Sequence, residues 1–373
     1  MIYRALSMDA LTELALLLRP AGGGLFLVST GRAEQEAMQR RLYGASTSEE
    51  VATAWRATIS RAAAAKVAIV GIPSDVGAGF RRGANLGPQA LREGLLAADP
   101  EWPERAAAAG VVDVGDVFVV PQLLHDEMLS EAQKAATRRA IYPGLAAEAS
   151  AGLPVSPLSI AERALALLLA LNPGLKVVVL GGDHSTAWPV VAALHRARQG
   201  RWGVVQVDAH TDLLEERLGV KYCFATWSHH ANELLGPGRF LQVGLRASRF
   251  PRSHWEAKTG VRQFWAEECR ARPAEVLDEV VAWLGERGVG PVYFSNDVDG
   301  TDAADMSATG TPEPNGLDPE WVVELIRRLG RDVGLVGGDV MELAPPLGPT
   351  PADAARSTAL AVRYLRELLA CLV

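Results

Sequence analysis

The sequence predicts an α/β fold in which a mostly parallel sheet is covered by helices on both faces. Short β-branched apolar segments alternate with amphipathic segments of helical period from residue 66 onward, which is typical of parallel sheets. His and Asp residues directly follow three of these strands, where open parallel sheets form their functional crevice. With 373 residues and 49% hydrophobic content, the chain is long enough to bury one large core.

The chain is predicted to divide into a helical N-terminal extension at 1–65 and a catalytic domain at 66–373. Within the extension, 8–18 carries apolar residues at helical spacing, and 32–64 is rich in Ala, Glu, Gln and Arg. We expect this extension to pack on the main domain or on a neighbouring subunit.

The predicted elements follow in order along the chain. Strands are expected at 66–72, 111–114, 176–180, 202–207, 240–245, 291–295 and 333–336, and helices at 89–97, 160–171, 188–198, 225–235, 274–287, 319–329 and 352–372. The Gly-rich segment 73–88 lacks the Gly spacing and the Lys of a phosphate-binding P-loop, so it is interpreted as an active-site loop. Residues 121–157 are expected to form an irregular insertion.

Composition excludes several classes of function. The net charge is −7 and the basic residues are dispersed, which argues against binding of nucleic acid. No apolar run is long enough to span a membrane. Three cysteines without a C-x-x-C pair indicate reduced thiols, so we expect a cytoplasmic protein.

Ligand-type side chains cluster at the ends of three predicted strands. Asp208, His210 and Asp212 follow one strand at every second position and therefore point to the same side of an extended chain. His184 follows the strand at 176–180, and an Asp-Val-Asp-Gly segment at 297–300 follows the strand at 291–295. Because the carboxyl ends of parallel strands meet at one edge, these groups should converge.

The residue types define the class of metal. The predicted ligands are His184, Asp208, His210, Asp212, Asp297 and Asp299. Four carboxylates are too many for one structural zinc, but they balance two divalent cations, such as Mn²⁺ or Ni²⁺. Two such cations can share one water and lower its pKa. One Asp-x-Asp alone would more often cap a strand end, but three clusters together favour a metal centre.

These segments resemble the metal motifs of the ureohydrolases, the arginase and agmatinase family. The resemblance includes Ala-Thr-Gly-Thr-Pro at 308–312, Asp-Val-Met-Glu at 339–342 and the loop at 71–88, and it extends from 66 to the C-terminus. It implies a three-layer α/β/α fold, a binuclear manganese-type centre and hydrolysis of a guanidinium carbon to release urea. It also implies that Asp212 steers the attack and the proton, that Glu342 holds the guanidinium nitrogens, and that Thr311 belongs to the substrate site.

Departures from the family pattern concern the segment after Asp212. Phe224 stands where arginases and agmatinases have the histidine that shuttles protons, and His229 or His230 is the candidate replacement. The segment 213–217 does not match the residues with which arginases hold an amino-acid tail. Arginase activity itself is therefore disfavoured.

The substrate expected from these departures is guanidine, cleaved to urea and ammonia. Phe224 and Trp227 are predicted to form an aromatic cage around a small guanidinium, since aromatic faces attract such cations. Agmatine or a guanidino acid such as guanidinobutyrate is the alternative substrate, and a metal-binding scaffold without catalysis is the alternative class. By resemblance we also expect a homotrimer or homohexamer.

Overall fold

The computed structural model describes residues 8–373, and these residues contain nine strands. The strands are β1 (Leu18–Arg19), β2 (Val67–Ile72), β3 (Val111–Val117), β4 (Lys176–Gly181), β5 (Gly203–Val207), β6 (Phe240–Leu245), β7 (Arg262–Trp265), β8 (Val292–Asn296) and β9 (Leu335–Val340). They form one sheet in the order β1-β3-β2-β4-β9-β8-β5-β6-β7. All neighbours pair in parallel except β1, which runs antiparallel to β3. The predicted fold, a mostly parallel sheet between helices, is confirmed.

Helices cover both faces of this sheet. They are α1 (Ala10–Leu17), α2 (Arg32–Tyr43), α3 (Ser48–Arg61), α4 (Gly87–Ala98), α5 (Trp102–Ala109), α6 (Glu131–Ile141), α7 (Ala147–Ser150), α8 (Pro157–Leu171), α9 (Ala187–Ala197), α10 (Trp227–Leu235), α11 (Arg252–Thr259), α12 (Ala266–Ala271), α13 (Pro273–Glu286), α14 (Pro319–Arg328) and α15 (Pro351–Leu372). No helix among residues 8–373 combines the length and apolarity that crossing a membrane requires.

The sheet divides the interior into two apolar cores. Strand β4 shows why, because its successive side chains point to opposite faces. Val177 and Val179 pack in the core beneath α1, α3, α8 and α9, whereas Val178 and Leu180 pack in the core beneath α4, α13, α14 and α15. Val177 to Leu180 are all apolar because this part of β4 is buried on both faces, as is typical of parallel sheets.

The N-terminal helices pack on the first of these cores. The indole nitrogen of Trp55 on α3 donates to the carbonyl of Val114 at 2.8 Å, and Arg163 forms an ion pair with Glu13 at 2.6 Å. A capping box between Thr47 and Glu50 begins α3 and separates it from α2, where the sequence predicts one continuous helical region. The first seven residues of the predicted extension lie outside the described residues.

Several short elements differ from the sequence predictions. The expected irregular insertion at 121–157 contains α6, whose start is capped by Ser130. Strands β1 and β7 have no counterpart among the predicted strands. β1 has only two residues, and β7 carries Arg262 at its start, so neither shows a periodic apolar pattern. Both lie at the outer ends of the sheet, where pairing with one neighbour defines the strand.

Candidate metal centre

The candidate site lies at the carboxyl ends of four strands that are neighbours in the middle of the sheet. These strands, β4, β9, β8 and β5, lead into His184, Glu342, the Asp297 to Asp299 segment and the Asp208 to Asp212 segment, respectively. The loop after β2 approaches from the next strand, because the amide of Gly77 donates to Asp183 at 3.0 Å. The six predicted metal ligands therefore meet at one edge, although they are far apart in sequence.

The first group of ligands surrounds Nδ1 of His184. This nitrogen lies 3.1 Å from Oδ2 of Asp208, 3.1 Å from Oδ2 of Asp297 and 3.5 Å from Oδ2 of Asp212. His184, Asp208 and Asp212 each offer one ligand atom, and these three atoms lie within 4.8 Å of one another. All four side chains are buried.

The second group surrounds Nδ1 of His210. This nitrogen lies 3.1 Å from Oδ2 of Asp299 and 3.5 Å from Oδ1 of Asp208, and the three ligand atoms again lie within 4.8 Å of one another. Asp208 belongs to both groups, with Oδ2 on the His184 side and Oδ1 on the His210 side. A carboxylate shared in this way suits two cations that lie side by side.

The charge balance of the site fits divalent cations. Seven buried carboxylates gather around it, namely Asp183, Asp208, Asp212, Asp297, Asp299, Asp339 and Glu342. Within residues 8–373, no Lys or Arg side chain forms an ion pair with any of them. Buried charges need compensation, and hard oxygen-rich donor sets with imidazoles favour divalent metals. The residues present therefore fit the binuclear divalent centre of the ureohydrolases.

The pKa shifts in the site reflect this excess of negative charge. Burial alone would lower the pKa of His210, but Asp299 and Asp208 outweigh it and raise that pKa to about 12. The pKa of Asp297 is raised well above its usual value by burial and then by Asp299 and Asp208. Protons therefore compensate the carboxylates where cations are absent, and bound metals displace them.

Two site residues adopt left-handed backbone conformations that are uncommon outside glycine. Asp212 has φ of +50° and Glu342 has φ of +64°. Such conformations cost free energy and concentrate at functional sites. Oε1 of Glu342 accepts the amide hydrogen of His184 at 2.9 Å, which fixes the carboxylate beside the first ligand group. Burial, followed by Asp183, raises the pKa of Glu342 well above its usual value, so a cationic partner would stabilise the ionised form.

Thr311 lies beside the second ligand group. Its hydroxyl donates to Oδ2 of Asp299 at 2.9 Å. The loop that carries it is held by Arg246 at the end of β6, whose guanidinium donates to the carbonyls of Asp299, Thr301 and Glu313. Thr311 thus touches a predicted ligand, and Arg246 is a supporting residue that the sequence analysis did not identify.

Trp227 lies elsewhere than the sequence predicts. Its indole is fully buried beneath the ligands, with its ring 4.5 Å from that of His184, and its nitrogen donates to Oδ2 of Asp212 at 3.1 Å. A side chain without exposed surface has no face to offer to a substrate. The prediction that Trp227 forms a wall of the substrate cage is therefore wrong. Trp227 instead supports Asp212, because α10 begins at this residue and directs its side chain into the core.

Phe224 lies against the Gly-rich loop rather than within the core. It is half-buried, its amide donates to the carbonyl of Gly77 at 3.1 Å, and its ring packs against Gly79. Beside it lies a cavity of about 620 Å³ whose walls include Phe80, Leu124 and Arg217. Of the two predicted cage residues, Phe224 alone faces a space that a ligand can enter.

His229 and His230 are half-buried at the start of α10. Nε2 of His230 pairs with the carbonyl of Lys221 at 2.9 Å, and its ring packs against Tyr222 and Trp188. The amide of His229 donates to the carbonyl of Asp212 at 3.2 Å. Within residues 8–373, neither imidazole forms a hydrogen bond or an ion pair with a predicted metal ligand.

Three supporting polar residues escaped the sequence analysis as site residues. Ser295 Oγ lies 3.0 Å from Nε2 of His184 and donates to Asp339 at 2.9 Å, so this pair orients the imidazole from its outer side. Asp183 accepts from Gly77 and Ser185 and holds the Gly-rich loop. Two features of the sequence could have identified them. Ser295 stands two positions before Asp297 on the same side of its strand, and Asp339 is a charged residue within an apolar strand.

Comparison with known proteins identifies the family. The sequence model of the arginase family matches residues 65–371. The chain belongs to the arginase family. It is 31% identical to the guanidinobutyrase of Pseudomonas aeruginosa over 82% of this chain and 86% of the relative, and 33% identical to the mitochondrial agmatinase of Gallus gallus over 74% of each. The solved structure of proclavaminate amidino hydrolase from Streptomyces clavuligerus superimposes with a TM-score of 0.62 at 27% identity, covering 82% of this chain and 91% of that one.

Membership of the arginase family settles the general activity and the cofactor class. The protein is a ureohydrolase, a metal-dependent hydrolase that acts on C–N bonds of guanidino compounds. Arginase-family enzymes use a binuclear divalent metal centre, and the His and Asp groups described above offer this chain's site for it.

Proposed function

We propose that this ureohydrolase cleaves guanidine to urea and ammonia, with Mn²⁺ or Ni²⁺ as its pair of cations. The observation that carries the proposal is the wall beside Phe224. Within residues 8–373, no carboxylate that could bind an ammonium tail such as that of agmatine lines the adjacent cavity. For the guanidinium itself, the two ligand groups and Glu342 offer the metal ligands and the carboxylate that the proposal requires.

Glu342 and Phe224 are the residues that would contact a bound guanidinium cation. Oε1 of Glu342 is held by the amide of His184, and its Oε2 faces Gly310, so a planar guanidinium can donate to it there. Phe224 offers an aromatic face to the same cation. These two contacts would orient the guanidinium carbon toward the metal ligands without any recognition of a tail.

We assign to Asp212 the orientation and deprotonation of the attacking water. When bound, two divalent cations would supply an attacking water of lowered pKa. The indole of Trp227 fixes Oδ2 of Asp212 at 3.1 Å, which leaves Oδ1 to orient that water and take its proton. Trp227 thereby acts as a positioning residue.

His229 is our candidate for the proton donor to the departing nitrogen. His230 is engaged with the carbonyl of Lys221, whereas no hydrogen bond of the His229 ring competes with this role within residues 8–373. Ammonia leaves as a neutral molecule only if a proton reaches it, and an imidazole N–H can donate that proton.

Short guanidino acids form the second candidate substrate class. Two cationic side chains, Arg82 and Arg217, line the cavity beside Phe224 together with apolar residues. A carboxylate tail would find favourable charge there, and an ammonium tail would not. The guanidinobutyrase and guanidino acid hydrolase relatives act, by name, on such compounds.

A comparison of urea release tests the proposal and the scaffold alternative together. Guanidine, guanidinobutyrate, agmatine and arginine should be assayed on one protein preparation loaded with Mn²⁺ and one loaded with Ni²⁺. We expect the highest kcat/KM for guanidine with equimolar ammonia. If agmatine exceeds guanidine by tenfold, equal to about 1.4 kcal/mol in transition-state stabilisation, the proposal is wrong. Absence of urea from every compound would favour a scaffold without catalysis.

A further inference from the structure

A line of buried amides runs beneath the metal ligands from the edge of the sheet to Asp208. It consists of Gln206 on β5, Gln242 on β6 and Gln263 on β7, which are direct register partners across the three strands. All three side chains are fully buried. The line begins at the indole of Trp265, at the end of the edge strand β7.

Every hydrogen bond in this line points the same way. The indole nitrogen of Trp265 donates to Gln263 at 3.1 Å, Gln263 donates to Gln242 at 2.8 Å, and Gln242 donates to Gln206 at 2.7 Å. Gln206 completes the line by donating to Oδ2 of Asp208 at 2.7 Å. An amide that accepts at its oxygen becomes a better donor at its nitrogen, so the final bond to Asp208 is strengthened.

The same amides also hold the other end of the ligand segment. Gln242 uses its second amide hydrogen to donate to the carbonyl of Thr211 at 2.6 Å, between His210 and Asp212. The hydroxyl of Ser228 adds a second donor to the oxygen of Gln206 at 2.8 Å. Both the first carboxylate of the segment and its backbone near Asp212 are therefore tied to one network.

Apolar side chains would serve packing better at these positions. The strands around the three amides are lined by valine, leucine and phenylalanine, and burial of a primary amide is costly unless all its hydrogen bonds are made. The hydrogen bonds are made here, and they end on the one carboxylate that both ligand groups share.

We propose that Gln206, Gln242 and Gln263 are positioning residues that set the affinity of the metal centre through Asp208. A carboxylate that serves two cations must keep a fixed rotation, because Oδ2 faces the His184 side and Oδ1 faces the His210 side. The donor from Gln206 holds Oδ2 at 2.7 Å, and the amide of His210 holds Oδ1 at 2.6 Å, so the two together fix that rotation. Partners that orient metal ligands from outside contribute measurably to metal affinity.

The test uses metal binding by the full chain, independent of any substrate. Wild type and Gln206→Met are freed of metal with a chelator and titrated with Mn²⁺ against a competing chelator. Gln206→Met removes the donor to Oδ2 of Asp208, so we expect it to bind Mn²⁺ roughly 10- to 100-fold more weakly, in line with the loss of comparable outer partners. The matched control is Asn232→Leu, which removes a buried hydrogen bond of 2.8 Å to the carbonyl of Thr259 outside the line. We expect its Mn²⁺ affinity to equal that of wild type.

Two results would overturn the proposal. One is wild-type affinity in Gln206→Met, and the other is an equal loss in Asn232→Leu, which would show a general effect of packing. If Gln206→Met fails to fold, Gln242→Met takes its place with the same control, since it interrupts the line one residue farther from Asp208. Failure of guanidine as substrate would leave these affinities unchanged, so the two proposals are tested separately.

Discussion

At the scale of single residues, Asp208 is distinguished by its membership of both ligand groups. We expect Asp208→Asn to lose both cations, because each group then lacks one of its carboxylates. Asp299→Asn weakens only the group around His210, so it should keep close to one cation per chain. Metal content measured by mass spectrometry after gel filtration separates the two outcomes. Two cations retained in Asp208→Asn would contradict the shared role.

The indole of Trp227 gives a second prediction at this scale. Trp227→Phe keeps an aromatic ring under His184 but removes the hydrogen bond to Asp212. We expect kcat to fall roughly 10- to 150-fold, since a lost hydrogen bond to a charged group is worth on the order of 1.5–3 kcal/mol, while metal content stays at the wild-type level. Steady-state kinetics and metal analysis on the same sample check this. An unchanged kcat would remove Trp227 from the positioning of Asp212.

At the scale of elements, the loop between β5 and α10 contributes Arg217 and Phe224 to the wall of the cavity described above. Its Arg217 is exposed, and its guanidinium lies 5.1 Å from the ring centroid of Phe224. This charge should repel the ammonium tail of agmatine. We expect Arg217→Gln to raise kcat/KM for agmatine relative to guanidine by roughly three- to tenfold, a range appropriate to a solvent-screened charge.

The control for this loop is Arg139→Gln, which removes the same charge from the exposed surface of α6. It should leave the substrate ratio unchanged. Salt provides an independent check, because added salt screens exposed charges and should raise the agmatine rate of wild type more than that of Arg217→Gln. A ratio that Arg217→Gln does not alter would show that Arg217 plays no part in substrate choice.

At the scale of the whole molecule, we propose a homotrimer or homohexamer. Large apolar side chains stand exposed on the single chain, including Phe26 at 76%, Val28 at 75%, Phe80 at 92% and Leu218 at 98% of their surface. Exposed apolar groups often mark contacts between subunits, and closed symmetric assemblies are common among enzymes. Light scattering should give the mass of a trimer or hexamer for the wild type. The Phe26→Ser, Val28→Ser double variant should give a smaller mass. A wild-type monomer at micromolar concentration would refute the assembly.

The elements near the site were largely predictable from local patterns. The strands leading to His184, Asp208 and Asp297 are short and mainly apolar, with valine or aromatic residues at most positions, and the Asp and His ligands follow two of them at period-2 spacing, so sequence alone indicated both the strand ends and the side that the ligands share. The type of the ligands, four carboxylates and two imidazoles, indicated divalent metals. Each of these signals lies within a segment of about ten residues.

What the tertiary structure decided depends on which strands are neighbours. The sharing of Asp208 by two ligand groups, the place of Trp227 beneath His184 and the amide line from Trp265 all join segments that are distant in sequence. The order β4-β9-β8-β5-β6-β7 brings them together. A local pattern of apolar and polar residues specifies a strand and its faces, but adjacent strands are selected by the packing of the complete chain, so these contacts have no signature within any single segment.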